Sequence, residues 1–451
     1  MAKIKNVTKR DGRVVPFTQE RITNAIYRAA VEVGGRDKVT AQRLSDQVVT
    51  ILESNYEPGA APAVEEIQDI VEMVLIENGH ARVAKAYILY RDERNRSRLQ
   101  HSSTSEQRHE NIPWAKLWMV LNWAVDHGVN TVEGLNRRIK NGEMAELVME
   151  SETAYEHDIN QVESAVLAKR DEIKLAIFAG PSSSGKTTTT RKIALRLAEK
   201  GITFIELNLD NYYFDLELHP KDEFGDYDFE TPQALDISLI NQHLKDLLDG
   251  KEIQMPFYDF KTGKRTGKTT PVRMAQNDII LIDSLYGLFP PLTEGLTGAS
   301  YKVYIEPLLQ MKSNDGEYVR WTDIRLMRRM LRDATSRAAD YGQTLTHWHY
   351  VRSGELRSIM PYITSADHIV NSSMPYELPV YRPKLGAYFE KWTQQYKDDP
   401  LRQDAYSRAA RVQALLESIL PVANDSIVPR DSVLREFIGG LNLANPVGST
   451  V

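Results

Sequence analysis

The stretch Gly180-Pro-Ser-Ser-Ser-Gly-Lys-Thr187 fits the spacing G-x-x-x-x-G-K-[ST], in which every fixed position has a task set by polyphosphate chemistry. Glycines let the backbone wrap an anion, amides at a helix N-terminus point at it, and Lys186 reaches the outer phosphates. Thr187 supplies a hydroxyl suited to Mg²⁺. The expected nucleotide-binding set is therefore Gly180, Ser182, Ser183, Ser184, Gly185, Lys186, Thr187 and Thr188. A nucleoside triphosphate is the expected ligand, with Mg²⁺ beside it.

Phosphoryl transfer asks for positioning and charge neutralisation more than for covalent chemistry. Asp210, in Leu207-Asn-Leu-Asp-Asn-Tyr-Tyr213, follows a strand candidate and reads as the group that orients or deprotonates an acceptor hydroxyl. A helix cap or loop turn is the bland alternative for it. Asp283 ends the apolar run Ile279-Ile-Leu-Ile282 and reads as a metal-side carboxylate, directly or through water. Arg325, Arg328, Arg329 and Arg332 are spaced to share one helix face; they predict a mobile lid over phosphates, with a surface salt-bridge network as the alternative. His347 and His349 have no matching ligand set and are not read as a metal pair.

The elements that would position these groups are legible around them. Lys174–Ala179 reads as a buried strand entering the loop, and Thr188–Lys200 as the helix leaving it, with Gly201 as a stop signal. Further strand candidates at Thr203–Leu209, Asp278–Ile282, Tyr301–Ile305 and His368–Val370 alternate with helical stretches, which predicts a parallel α/β sheet. Upstream, Ile4–Val7 and Arg13–Phe17 flank Lys9-Arg10-Asp11-Gly12 and predict a hairpin with an Asp-Gly turn. Helices follow from Thr18 and around Leu44–Leu52, Val64–Leu75 and Arg82–Arg94, then a polar linker at 101–112. Trp114, Leu117, Trp118 and Leu121 form a stripe that reads first as a buried helix face and otherwise as an inter-domain or inter-subunit contact. A mostly helical tail runs over roughly 385–440.

Composition bounds the rest. A chain of 451 residues has room for two or three domains. It has no cysteine, so disulfides, thiol nucleophiles and cysteine-based zinc sites are excluded. A net charge of −6 gives no support for nucleic acid as the main partner. The start Met-Ala-Lys-Ile-Lys-Asn lacks the apolar core of a signal peptide, and no apolar run is long enough to span a bilayer. The expectation is a soluble cytoplasmic protein with no nucleic acid or membrane partner.

Taken in order, Gly180–Thr188, Asp210-Asn-Tyr-Tyr213, Tyr227-Asp-Phe-Glu-Thr-Pro232, Pro256-Phe-Tyr-Asp-Phe260, Arg328-Arg-Met-Leu-Arg-Asp333 and Ala366-Asp-His-Ile-Val370 resemble the phosphoribulokinase/uridine kinase family. Val351-Arg-Ser-Gly-Glu355, Tyr376-Glu-Leu378 and Leu434-Arg-Glu-Phe-Ile-Gly-Gly440 extend the likeness to the longer bacterial branch of uridine kinase-like proteins. The resemblance implies a P-loop parallel-sheet kinase domain that phosphorylates a nucleoside 5′-hydroxyl with ATP. It implies Asp210 as the catalytic carboxylate, Glu230 on a ribose hydroxyl, Tyr258 near the base, and Arg329 and Arg332 on phosphates. Two positions depart from the pattern: Gly263 stands where uridine-cytidine kinases carry a base-reading His, and Asp283-Ser284 where their third strand ends in Glu-Gly. Phosphoryl transfer survives both changes; pyrimidine specificity does not follow.

Val7-Thr-Lys-Arg-Asp-Gly-Arg13, Pro16-Phe17, Arg21-Ile22 and Ala84-Lys-Ala-Tyr-Ile-Leu-Tyr-Arg91 resemble an ATP-cone, a small, mostly helical nucleotide-sensing domain. That resemblance implies allosteric ATP or dATP, with Lys9 and Arg10 on phosphates, Val7 at the nucleobase, and a change of oligomeric state. The expected organisation is an ATP-cone at 1–98, linker and helical connector at 99–172, kinase domain at 173–375 and a mostly helical extension at 376–451. The expected function is a regulated, homo-oligomeric kinase of a small-molecule acceptor, foremost a nucleoside. Two alternatives stand beside it: a kinase of a sugar, sugar phosphate or other hydroxyl compound, and a nucleotide-dependent switch or assembly protein with little turnover.

Overall fold

Apolar residues at helical spacing bring the N-terminal part together around its own core, and alternating apolar strands do the same for the rest. The fold is that of a computed structural model, which describes residues 4–8, 14–32, 37–57, 59–80, 82–85, 87, 112–220, 231–275, 277–293, 300–336, 341–399 and 402–443. The chain divides into a smaller unit within Met1–His109 and a larger one built from Glu110–His219 and Phe229–Val451.

In the smaller unit, β1 (Asn6–Thr8) pairs antiparallel with β2 (Val14–Pro16), Val7 opposite Val15. Helices α1 (Gln19–Glu32), α2 (Lys38–Asn55) and α3 (Val64–Glu77) follow. Asp37 caps α2 by accepting from the amides of Val39 and Thr40, both at 3.0 Å. Ile22, Ile26, Val48, Leu52, Val71 and Leu75 close the core between these helices. The Asp-Gly turn expected at 9–12, most of the helix expected over 82–94 and the linker expected at 101–112, Ile112 excepted, lie outside the described residues.

The larger unit opens with α4 (Trp114–Asp126), α5 (Val132–Lys140) and α6 (Met144–Ala168). A parallel sheet follows: β3 (Leu175–Ala179), β4 (Thr203–Glu206), β7 (Asp278–Ser284), β8 (Ser300–Glu306) and β9 (His368–Asn371), with α7 (Lys186–Glu199) after β3 and α8 (Ile237–Leu248) after β4. Its order is β4-β7-β3-β8-β9, so the strand that enters the phosphate-loop motif is central. Side chains alternate across it as the period of two requires. Ala176, Phe178, Ile279, Leu281, Val303 and Ile305 enter the core on one face, and Leu175, Ile177, Ile280, Ile282 and Tyr304 that on the other. Between α8 and β7 an antiparallel hairpin, β5 (Glu252–Asp259) and β6 (Lys264–Arg273), stands as a separate ribbon. Helices α9 (Trp321–Ser336), α10 (Tyr341–Ser358), α11 (Glu377–Tyr396) and α12 (Gln403–Ser418) complete the unit, ending in the short helix α13 (Arg435–Ile438).

The helices before and after the sheet share its core. Tyr155, Ile159 and Val162 of α6 belong to the same cluster as Phe178 and Val303, as do Phe389, Val412 and Phe437. Asp158 on α6 takes the ammonium of Lys116 at 2.6 Å and the amide of Asn371 at 2.9 Å, fixing the connector to the end of β9. The aromatic stripe on α4 departs from its first expectation. Trp114 is 57% and Trp118 64% exposed, while Val120 and Ala124, one turn apart, are the residues that pack inward.

Candidate active site

The loop that joins β3 to α7 carries its strain where an anion would sit. Ser183 adopts φ of 60°, a left-handed conformation that costs a non-glycine residue about 1–3 kcal/mol, and Gly185 adopts φ of 85°. A side chain at Gly185 would also place its Cβ 2.5 Å from Cγ2 of Val433.

Two arginines hold this loop from behind. Arg325 Nη1 donates to the carbonyl of Ser182 at 3.2 Å and Arg328 Nη1 to that of Ser184 at 3.4 Å. The Ser372 hydroxyl donates to the same Ser184 carbonyl. In a trans peptide the N–H points opposite the carbonyl, so these bonds turn the amides of Ser183 and Gly185 away from α9. Both guanidiniums are fully buried and each meets a carboxylate: Glu355, which it shares with Arg352, for Arg325, and Glu377 at 2.7 and 3.0 Å for Arg328. Burial opposes the charge on Arg325, but Glu355 and Glu306 outweigh it and hold its pKa above the ordinary guanidinium range. The four-arginine lid is therefore corrected. Arg325 and Arg328 are part of the core, because carboxylates from α10 and α11 meet them there, and only Arg329 and Arg332 line the cleft.

The cleft has a volume of about 640 Å³. The loop from Pro181 to Thr187 forms one wall, and the carboxylates of Glu206, Asp210 and Asp283 line the strand ends beside it. Lys186 donates its ammonium proton to Asp283. Glu206 keeps contact with solvent, yet desolvation by the surrounding protein and the neighbouring Asp283 charge push its carboxyl above the usual range. Asp210 lies on a short 3₁₀ turn (Leu209–Tyr212) that Asn208 caps by accepting the Asp210 amide at 2.9 Å.

Aromatic rings form the opposite side. Tyr258 lies 5.0 Å from Phe260 and 5.7 Å from Tyr213, centroid to centroid, with His219 stacked at 6.5 Å. The Tyr258 amide donates to Asn211 Oδ1 at 3.2 Å, which ties the hairpin to the Asp210 turn. His219 Nε2 donates to the carbonyl of Phe214 at 2.7 Å, and burial holds its pKa below the usual imidazole range. Gly263 has φ of 67°, and a Cβ there would lie 3.0 Å from Leu216, so the His219-bearing turn occupies that space.

The structure thus brings Ser182–Thr187, Asp210, Tyr258, Asp283, Arg329 and Arg332 to one cleft. Gly180 begins the loop at the end of β3. Thr188 lies beneath it, 1% exposed, with its hydroxyl donating to Glu436 at 2.6 Å and its amide at 3.2 Å. Glu230, Lys9 and Arg10 lie outside the described residues. Val7 lies on β1 of the other unit, its side chain in that unit's core. Sequence reasoning missed Glu206, His219 and Glu436. The strand-end position could have flagged Glu206; Glu436 lies in the Leu434–Gly440 stretch that carries the resemblance, but nothing local places it or His219 at the cleft.

A parallel sheet with this loop on its central strand and carboxylates on neighbouring strand ends defines a phosphate-loop phosphotransferase fold. Residues 176–378 match the phosphoribulokinase / uridine kinase family, and residues 5–96 match the ATP cone domain. A uridine kinase of Brevibacillus brevis is 30% identical over 193 residues, covering 43% of this chain and 81% of that protein. The uridine-cytidine kinase B of Dictyostelium discoideum is 31% identical over 193 residues, 42% of this chain and 71% of that one. A solved structure titled a possible uridine kinase, from Bacillus stearothermophilus, aligns over 48% of this chain and 97% of its own, at 16% identity and a TM-score of 0.33. The chain belongs to the phosphoribulokinase/uridine kinase family, with an ATP-cone at its N-terminal end. It is a phosphotransferase that acts on a hydroxyl group.

Proposed function

We propose that this chain transfers the γ-phosphoryl group of ATP to the 5′-hydroxyl of a nucleoside, under control of ATP or dATP at the cone. The observation that carries the reading is the convergence of Lys186, Asp210, Asp283, Tyr258, Arg329 and Arg332 on one cleft. The triphosphate lies along the loop, its charge met by Lys186 and the turned amides. Thr187 and Asp283, with Glu206 beside them, offer the hard oxygen donors that suit Mg²⁺, which when bound neutralises phosphate charge. Asp210 holds the acceptor hydroxyl in line and accepts its proton as the acceptor oxygen bonds to the γ-phosphorus. The bond from that phosphorus to the β,γ-bridging oxygen breaks, and ADP leaves. Arg329 and Arg332 offset charge on the transferring group.

Tyr213, Tyr258 and Phe260 suit a flat base on the acceptor. Gly263 favours a second reading, since no side chain reads a base edge there; a sugar or other hydroxyl compound then takes the same place.

The test is incubation with Mg·ATP and a panel of ribo- and deoxyribonucleosides, with monophosphates read by mass spectrometry. The expected result is a nucleoside monophosphate whose rate falls about 10²–10³-fold in Asp210→Asn while ATP binding persists. No monophosphate from any nucleoside, with sugars turned over instead, moves the reading to the second acceptor class. Near-normal turnover by Asp210→Asn removes the role given to that carboxylate.

A further inference from the structure

The segment after α12 returns to the phosphate loop and places a carboxylate against it. Glu436 Oε2 accepts from both the amide and the hydroxyl of Thr188, in the first turn of α7. It also lines the cleft. Three further contacts fix this segment over the loop: Val433 packs on Gly185, Asp431 pairs with Lys192 at 3.3 Å, and the guanidinium of Arg328 lies 4.9 Å from the Phe437 ring centroid. The Leu443 carbonyl accepts from Arg191 at 3.2 Å. Val433, Leu434 and Phe437 are fully buried, so the backbone is anchored while the Glu436 side chain reaches in.

We propose that Glu436 is a donor-site residue: a carboxylate that occupies one phosphate position of the loop and yields it to the nucleotide. This rests on the reading that the loop binds ATP. An amide at the start of a helix favours an anion, and Glu436 supplies one from within the chain. The single proton of the Thr188 amide cannot make a full-strength bond to Glu436 and to a phosphate oxygen at once. A carboxylate and a polyphosphate in contact also repel each other in a site shielded from water. Binding therefore swings the Glu436 side chain aside while Val433 and Phe437 keep the segment in place. The C-terminal extension, from outside the sheet, thereby sets how much ATP is needed to fill the site.

The experiment uses the full chain with a non-hydrolysable ATP analogue and Mg²⁺, without acceptor. Site-specific binding is read as amide-exchange protection at 180–188, so that nucleotide on the cone does not enter the reading. In Glu436→Gln and Glu436→Ala the half-saturating analogue concentration should fall about fivefold to tenfold, as expected for losing a charged hydrogen-bonding competitor. A crystal structure of the wild-type complex should show Glu436 beyond hydrogen-bond distance of the Thr188 amide, a result that does not depend on how well a variant folds. Unchanged or weaker binding in the variants, or a Glu436–Thr188 bond that persists beside bound analogue, overturns the inference and leaves ATP binding standing. No protection at 180–188 in any of the proteins overturns the ATP reading and the inference with it.

Discussion

At the scale of single residues, charge placement distinguishes groups of the same type within one cleft. Lys186 is held by Asp283, whereas Asp210 sits on a turn whose amide is already bonded to Asn208, and Glu206 is pushed toward its protonated form. His219 is held below the usual imidazole range by burial, so it is a neutral ring at pH 7 with its Nε2 proton on Phe214. A His whose folded pKa is depressed contributes stability that is present above its unfolded value, near 6.5, and lost as pH falls through the folded value. Thermal unfolding followed from pH 7.5 to pH 5 should therefore show a steeper acid loss for the wild type than for His219→Gln. Parallel pH profiles for the two proteins remove His219 as a contributor.

At the scale of elements, α9 works as a clamp on the loop. Its inner arginines fix two loop carbonyls and its outer ones line the cleft. Removing one buried partner leaves the other charge uncompensated, so Arg328→Met should cost about 3–5 kcal/mol in urea unfolding, and adding Glu377→Met should recover part of that loss. Arg328→Lys keeps the charge but cannot bond Glu377 in fork geometry and reach Ser184 as well. It is expected to retain most of the stability while raising KM for ATP more than it lowers kcat. Equal KM in the two proteins speaks against the clamp. The hairpin β5–β6 is the second positioning element, since it carries Tyr258 and is tied to the Asp210 turn through Asn211.

At the scale of the whole molecule, the larger unit has a core on each face of its sheet, and one of them joins connector, sheet and C-terminal extension. Tyr155 of the connector bonds Thr189 of α7 at 2.7 Å, and Glu436 of the extension bonds Thr188 beside it. Both ends of the unit thus touch the first turn of the phosphate-binding helix. The ATP-cone matched at 5–96 supplies the proposed regulation, and an effector can shift activity only through differential affinity for two states. Lys9→Ala should abolish the response of the kinase rate to dATP while leaving the basal rate within about twofold. A dATP response that survives this change removes Lys9 from the effector site.

The phosphate loop, its flanking strand and helix, and Asp210 and Asp283 were legible because each depends on neighbours within a few residues; Glu206, at the end of β4, was missed. A buried strand needs an apolar run, a helix start needs its caps, and an anion loop needs glycines at fixed spacing. The hairpin β5–β6 was not read as strands: Ile253, Met255 and Phe257 of β5 do alternate, but its partner Lys264-Arg-Thr-Gly-Lys-Thr-Thr270 is largely exposed and carries no period-two apolar signal. The arginine helix misled for a related reason: its spacing shows that four cations share a face, but not which of them meets a carboxylate. Glu355 and Glu377 come from elements far along the chain, and their arrival turns two surface candidates into core residues. Likewise, no local pattern places Glu436 on Thr188, 248 residues away. Local sequence determined which chemistry this chain can perform. The packing of distant segments decided which charges reach the cleft, because burial and pairing are properties of what folds against a residue.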